Sequence, residues 1–306
     1  MSTSLIFSSF KRWFSVSYRR KYFHAYLFIA PIIILFGIFR VYPAIQTLAY
    51  SFYNVELLRH RFTFIGMENF FSLLEDKIFL KATFNTLMYV GCIVPISAGI
   101  GVILAVILCE KFRFRQFFKA VYFSPFITST VAAAMVWWWL YNPQFGLFNN
   151  VLKLLHLPPQ SWLMSSRQAL MSIIIFSIWK TLGYNMIIYI AGLQAIPEQY
   201  YEAARIDGAN NLVQFFKITI PLLAPITTFI LIYNTILAFQ IFDQVFVLTG
   251  GGPAYSTTVV VLELYQQAFL KHRFGYASAM AAVLFIIILG ITIVQYAISK
   301  KREIVY

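Results

Sequence analysis

Long apolar runs separated by shorter polar stretches dominate the pattern of this chain. Each run is about 20 residues or longer, which is the length of α-helix that crosses a hydrocarbon core about 30 Å thick. Runs of this length predict membrane-spanning helices rather than strands. The six predicted spans, numbered first to sixth along the chain, lie at residues 25–45, 86–109, 117–141, 169–191, 220–248 and 277–298. The sequence therefore predicts an all-α, polytopic membrane protein.

Polar segments divide the rest of the chain. We expect a basic N-terminal tail at 1–24, an outer loop at 46–85, a core membrane domain at 86–298 and a short tail at 299–306. The outer loops at 142–168 and 249–276 carry turn signals such as Asn142-Pro143 and Gly252-Pro253, which predict ordered but irregular structure.

Composition agrees with a membrane protein, because 60% of the residues are hydrophobic and only 11% are charged. A soluble chain usually carries about 25% charged residues. The net charge of +13 would suggest nucleic acid in a soluble protein, but the cations gather in the N-terminal tail, in the loop after the second span and at the C-terminus. The positive-inside rule places such segments in the cytoplasm. We therefore expect both termini to be cytoplasmic and expect no nucleic-acid partner.

The sequence lacks the short motifs that are typical of several enzyme activities. No Gly-x-x-x-x-Gly-Lys-Ser/Thr phosphate loop occurs, so ATP chemistry would need another polypeptide. The four histidines are scattered outside the spans, and no metalloprotease or serine-hydrolase motif occurs. Cys92 and Cys109 both lie in the second span, where we interpret them as packing residues. We therefore expect no enzyme activity, no bound cofactor and no metal site in this chain.

The polar segment between the fourth and fifth spans, residues 195–217, predicts a helix, a turn and a second helix. Pro197 suits a first helical turn, and Glu198 would face the positive end of the helix dipole. Gly208 can adopt the left-handed conformation that ends a helix. Asn210 or Asn211 is then positioned to cap the second helix. A loop of this kind presents a short rigid helix at the membrane surface.

This segment resembles the EAA loop of bacterial ABC importer permeases. Glu202-Ala203-Ala204 and Asp207-Gly208-Ala209 match the family pattern, and Ile218-Thr219-Ile220-Pro221 matches its ending, with isoleucine for leucine at Ile220. Further phrases of the carbohydrate branch, the maltose and glycerol-phosphate type permeases, occur at 64–70, 141–146, 242–245, 248–253 and 275–279. The resemblance covers roughly residues 28–298.

The resemblance implies the type I ABC importer permease fold and an alternating-access mechanism in a bacterial inner membrane. It implies a second homologous permease, two ATPase subunits that carry ATP and magnesium, and an extracytoplasmic solute-binding protein as partners. It also implies that the loop is a coupling helix that docks on the ATPase. The residues of that docking surface would be Glu202, Ala203, Ala204, Arg205, Asp207 and Gly208.

Polar residues inside the spans are candidates for a substrate path, because such groups are costly in lipid and tend to face a cavity. They are Lys180, Tyr184, Asn185, Asn234, Gln240, Asp243 and Gln244. Each has a structural alternative: Asn234 can join helices, Asp243 can cap a helix or form a salt bridge, and Lys180 can pair locally. Similarly, the aromatic group at the end of the third span fits either an interfacial aromatic belt or a surface that stacks on sugar. Its members are Trp137, Trp138, Trp139 and Tyr141.

Two other functions compete with a binding-protein-dependent importer. An ion-coupled secondary carrier needs no ATPase, but the chain shows no internal repeat of the kind that many carriers have. A membrane enzyme or assembly factor that uses the polar loops is the third possibility. Within the class of sugars and sugar phosphates, Lys180 and the cations of the outer loops would suit a phosphorylated solute.

Overall fold

The computed structural model describes residues 16–56, 61–110 and 112–300, and for residues 16–25 and Glu56 the backbone alone. Its first span consists of helix α1 (Val16–Phe36), one π-helical turn (Gly37–Val41) and helix α2 (Tyr42–Tyr50). No residue from 26 to 50 is buried within this chain, and although α2 contacts the last helix of the chain, most of this span is left uncovered. Pro43 lies two residues after the π-helical turn and donates no backbone hydrogen bond to it, because proline has no N–H.

The predicted outer loop at 46–85 is largely regular structure. Strands β1 (Tyr53–Glu56) and β2 (Arg61–Phe64) form an antiparallel hairpin, in which Tyr53 lies opposite Phe64. Helix α3 (Glu68–Glu75) follows, and the Asn69 side chain donates hydrogen bonds to the Ser51 and Tyr53 carbonyls. Within the described residues, this hairpin is the only β-structure of an otherwise helical fold.

Besides the first span, three helices of the described residues are long and apolar enough to cross a membrane: α4 (Lys77–Cys109), α8 (Ala169–Gln194) and α15 (Phe274–Lys300). Helix α4 begins at Lys77, well before the predicted start of the second span at 86. Asp76 explains that start, because its carboxylate accepts hydrogen bonds from the backbone N–H groups of Ile78 and Phe79 as a helix cap.

The third and fifth predicted spans are each divided in the structure. Helices α5 (Arg115–Ile127) and α6 (Thr130–Leu140) bend by 100° at Thr128 and Ser129. The fifth span is a series of short helices followed by a longer helix, with a bend of 66° between them. It ends at Phe239 instead of at the predicted residue 248. Its pieces are α10 (Asn211–Gln214), a π-helical turn (Phe215–Thr219), α11 (Ile220–Leu222) and α12 (Ala224–Phe239). If each bent pair is one span, the described residues hold six spans.

The remaining elements lie in the connections. Helix α7 (Leu147–Leu154) and a 3₁₀ turn (Trp162–Met164) precede α8, and α9 (Gln199–Ile206) follows it. Helices α13 (Asp243–Leu248) and α14 (Val260–Tyr265) and a π-helical turn (Gln266–Leu270) connect α12 to α15. The predicted outer loops at 142–168 and 249–276 therefore contain short helices as well as irregular structure.

The core consists of α4, α8, α12 and α15 packed side by side. Lipid tails are as apolar as the side chains, so close packing rather than the hydrophobic effect holds such helices together. Small residues allow it: a β-carbon at Gly101 of α4 would lie 2.8 Å from the β-carbon of Asn185 on α8. A β-carbon at Gly183 would collide with the Tyr122 carbonyl of α5.

The aromatic cluster at the end of α6 divides between two environments. The Trp137 ring packs against Phe176 and Trp179 of α8, and the buried Tyr141 hydroxyl donates to a backbone carbonyl of α8. In contrast, Trp138 and Trp139 are about half exposed (52% and 48%). Their outward position is what an interfacial belt requires, whereas Trp137 belongs to the core.

Candidate translocation cavity and coupling loop

A cavity of about 380 Å³ lies where the two broken spans meet α4 and α8. Helix α4 contributes Tyr89, the break between α5 and α6 contributes Thr128, and α8 contributes Lys180. The other wall is the interruption between α12 and α13. The full lining is Tyr89, Ile93, Ser97, Phe126, Thr128, Thr130, Ser177, Lys180, Thr181, Asn234, Leu237, Ala238, Gln240, Ile241, Phe242, Asp243 and Gln244.

Five of the seven residues predicted for the substrate path line this cavity, namely Lys180, Asn234, Gln240, Asp243 and Gln244. Tyr184 and Asn185 do not. Tyr184 stacks on Phe126 with ring centroids 4.8 Å apart and also packs against Tyr233. Asn185 is completely buried between helices. Each of them instead contacts a residue of the lining, Tyr184 through Phe126 and Asn185 through Asn234.

Sequence reasoning missed the hydroxyl groups of the lining, which are Tyr89, Ser97, Thr128, Thr130, Ser177 and Thr181. A signal for part of this set was available. Ser177, Lys180 and Thr181 are spaced by three and four residues, so they share one face of α8. Hydroxyl residues are common in spans because they bond their own helix, as Ser177 and Thr181 do, and alone they do not indicate a cavity.

The Lys180 ammonium group donates hydrogen bonds to the backbone carbonyls of Pro125, at 3.0 Å, and Thr128, at 2.8 Å. Both carbonyls lie at the C-terminal end of α5, where the helix breaks. The local-pairing interpretation of Lys180 is therefore confirmed as a contact.

Amide groups join the helices around the cavity. Asn234 Nδ2 donates to Asn185 Oδ1 at 3.0 Å, a contact between α12 and α8. Gln244 Nε2 lies 3.3 Å from the Tyr89 hydroxyl and 3.5 Å from Ser177 Oγ. Asn234 thus lines the cavity and joins two helices, while its part in a substrate path stays a prediction.

Asp243 lies in the first turn of α13, where the helix dipole favours a negative charge. Its side chain is exposed and forms no ion pair or hydrogen bond with the residues that the structure describes. A salt bridge of Asp243 within this part of the chain is therefore not found, nor is a side-chain cap. The carboxylate remains a free acceptor at the cavity.

The segment at 195–217, called the coupling loop after its predicted role, forms the helix, turn and helix that its sequence predicts. Helix α9 begins at Gln199, two residues beyond Pro197, and ends at Ile206. Gly208 has φ +79°, which confirms the left-handed conformation, and the Ala209 N–H then bonds the Ala204 carbonyl at 2.8 Å. Asn210 rather than Asn211 caps the second helix, since its side chain accepts from the Val213 N–H.

The predicted docking residues lie on the outside of this loop. Glu202, Ala203, Arg205, Asp207 and Gly208 are exposed, and Ala204 is half-buried. Apolar Ile206 is 86% exposed between them. Single exposed apolar residues are common, but here one stands amid small and charged side chains on the exposed face of α9.

The loop is attached firmly to the fifth span. The Tyr201 hydroxyl of α9 lies 3.0 Å from Thr219 Oγ1, and Gln214 Nε2 donates to the Ala209 carbonyl. Phe215 packs into the core beside α8. Helix α9 and the turn after it are therefore in direct contact with the short helices that lead into α12.

Comparison with known proteins identifies the family. Residues 79–304 match the model of the family described as binding-protein-dependent transport system inner membrane component. The chain belongs to this family. It is accordingly a multi-pass inner-membrane permease component of an ABC importer, and it lacks ATPase activity of its own.

Relatives match along nearly the whole permease. It is 34% identical to a probable ABC transporter permease protein (YurN) of Bacillus subtilis, over 91% of this chain and 96% of the relative. It is 34% identical to the trehalose/maltose transport system permease protein MalF of Thermococcus litoralis, over 91% and 94%. It is 32% identical to the sn-glycerol-3-phosphate transport system permease protein UgpA of Agrobacterium fabrum, over 90% and 94%.

The fold is shared with a solved transporter. A crystal structure of a bacterial ABC transporter involved in the import of the acidic polysaccharide alginate matches with a TM-score of 0.82 at 23% identity. The match covers 92% of this chain and 97% of that chain. The predicted helical permease fold and the resemblance to binding-protein-dependent ABC permeases are therefore confirmed.

Proposed function

We propose that this permease forms half of the translocation path for a sugar, or for a related polyol or sugar phosphate, in an ATP-driven importer. The observation that carries the proposal is the cavity at the two breaks, which is lined by hydroxyl and amide groups together with the rings of Phe126 and Phe242. Such groups can exchange hydrogen bonds with a polyhydroxylated solute while the rings cover its apolar faces. The printed names of two relatives, for trehalose/maltose and for sn-glycerol-3-phosphate, support this solute class.

The partners follow from the proposed mechanism. A second homologous permease would form the other half of the path, and the uncovered first span supports an assembly in which other chains lie against this one. Two ATPase subunits would bind ATP and magnesium, and an extracytoplasmic binding protein would deliver the solute. With the coupling loop facing the ATPases, both termini would lie in the cytoplasm, in agreement with the cation distribution.

Energy coupling would pass through Glu202–Gly208. The exposed helix α9 would dock on an ATPase, and closure of the ATPases on ATP would move it. The hydrogen bond between Tyr201 and Thr219 would pass that movement to the fifth span, whose α12 carries Asn234 to the cavity. The bend before α12 and the interruption after it are the positions where this span can change shape. The cavity would thereby alternate between outward and inward access.

A pair of substitutions separates a path residue from a packing residue. Asn234→Ala and Asn185→Ala both remove the hydrogen bond between the two amides, but only Asn234 lines the cavity. If the cavity carries the solute, uptake should fall further with Asn234→Ala, by about 2- to 10-fold for one lost hydrogen bond.

The measurement is uptake of labelled maltose, trehalose and sn-glycerol-3-phosphate into proteoliposomes that contain the complete complex and its binding protein. Complex stability in detergent is followed in parallel. Equal losses of uptake and stability in the two variants would show that Asn234 only joins helices, and the path assignment would then fail.

A further inference from the structure

The break in the third span leaves backbone groups without helical partners. Helix α5 ends at Ile127, Thr128 is extended with ψ 149°, and α6 starts at Thr130 in a direction that differs by 100°. Carbonyl groups near such an end have no N–H from a following turn. At membrane depth each unsatisfied group is costly, so a broken helix is tolerated there only where protein or a cavity satisfies the freed groups.

Lys180 adds donors to this end from the neighbouring helix, and the Thr128 hydroxyl also donates to the Pro125 carbonyl at 2.7 Å. Its ammonium group has three N–H donors, and two of them bond the Pro125 and Thr128 carbonyls. The C-terminal end of a helix also carries partial negative charge, which favours a cation there. Within the described residues no carboxylate pairs with Lys180, so the helix end is its counter-charge.

Two further residues of α8 contact α5 close to the same break. Gly183 allows α8 to touch the Tyr122 carbonyl of α5, since any β-carbon would collide with it. One residue further, the Tyr184 ring stacks on Phe126, with an interplanar angle of 26°. Residues 180–184 therefore contact α5 from Tyr122 to Thr128 through a charge, a backbone approach and a ring stack.

We propose that Lys180 is a positioning residue that fixes the bend between α5 and α6, and with it the cavity wall formed by Phe126, Thr128 and Thr130. In this role its ammonium group holds the protein backbone instead of a phosphate or other anionic solute. The bend is a property of the chain itself. Only the consequence for uptake rests on the proposed transport function.

The direct test is the distance across the bend. Phe117 of α5 and Trp139 of α6 are both exposed, so spin labels on cysteines at these positions, after Cys92→Ser and Cys109→Ser, report the angle between the two helices. The labelled permease is measured in the complete complex. We expect one narrow distance distribution when Lys180 is present and a broadened or shifted one with Lys180→Met.

Two further variants show whether the charge and its donors matter. Lys180→Arg keeps a cation with several N–H donors and should restore the narrow distribution. Lys153→Met removes an exposed lysine of α7 and should change nothing. If Lys180→Met does not assemble, Lys180→Gln, which keeps an N–H donor without the charge, is measured instead and should give a distribution wider than that of Lys180→Arg.

Uptake of maltose and sn-glycerol-3-phosphate by the same variants supplies the functional readout. We expect Lys180→Met to reduce uptake of both solutes at least tenfold, which is about the effect of one lost charge-assisted hydrogen bond, and Lys180→Arg to recover most of it. A narrow, unshifted distribution in Lys180→Met would overturn the proposal. Loss of sn-glycerol-3-phosphate uptake alone, with that unchanged distance, would identify Lys180 as a solute ligand.

Discussion

Replacement of Gly208 by valine perturbs the end of the coupling helix without filling any space inside the chain. A β-carbon at this position would have no other atom within 4 Å, so no steric collision within the permease contributes. The cost is conformational, because φ is +79° and a residue with a β-carbon resists the left-handed region by about 1–2 kcal/mol. β-Branched valine belongs at the upper end of that range.

A penalty of that size changes the equilibrium between the native and a distorted turn by a factor of about 5–30. The distorted turn would break the hydrogen bond from the Ala209 N–H to the Ala204 carbonyl, which closes the end of α9. The helix and its exposed residues would then be presented at a different angle. The valine side chain would also stand on the surface that we propose to dock on the ATPase.

The assay is ATP hydrolysis by reconstituted complexes with and without the loaded binding protein, together with uptake. For Gly208→Val we expect insertion of the spans and the binding-protein contact to be retained, while stimulated hydrolysis and uptake are lost. Gly208→Asn is the matched control, since asparagine tolerates the left-handed conformation and should keep much of the activity. Full coupled transport by Gly208→Val would refute the assignment of this loop.

Three further predictions concern other parts of the chain. Glu202→Lys should weaken retention of the ATPase subunits by charge reversal, and a compensating charge change in the ATPase should restore part of it; unchanged retention and stimulation would contradict this. A tag after Tyr306 should be accessible only from the cytoplasmic side, and labelling from outside would contradict the topology. Asp76→Ala should destabilise the complex by about 1 kcal/mol in thermal unfolding, because it removes the cap of α4. Burial raises the pKa of Asp76, but hydrogen bonds from the Tyr276 hydroxyl and from the Phe79 and Ile78 backbone, with the Lys271 charge, lower it overall. The stabilisation of the folded state by the Asp76 carboxylate should therefore be complete above the usual pKa of 3.8 and be lost as the pH falls through the lower native pKa. Equal acid sensitivity of wild type and Asp76→Ala would contradict this.

The coupling loop could be predicted in detail because its determinants are local. Gly208 ends a helix by its own conformational freedom, and Asn210 caps the next helix through a contact three residues away. The resemblance to ABC importer permeases rested mainly on the same short segment. Neither feature depends on how the distant spans pack.

The breaks of the third and fifth spans could not be located from apolarity, because a bent span is as apolar as a straight one. Pro125 indicates an interruption, but the bend occurs at Thr128 and Ser129, where the Lys180 ammonium group supports it from a helix about 50 residues later. For the same reason Lys180 was expected to suit an anionic solute, since its partners are backbone carbonyls that leave no trace in the sequence. The early start of α4 was missed because Lys77 and Lys81 precede the apolar run.

The most direct test of the proposed function is transport by purified components in proteoliposomes. We predict that this chain is isolated with a second permease and an ATPase, and that labelled maltose, trehalose or sn-glycerol-3-phosphate accumulates only when ATP and the binding protein are both supplied. The ion-coupled alternative predicts another result. Uptake by this chain alone, driven by an ion gradient and indifferent to ATP, would contradict the account.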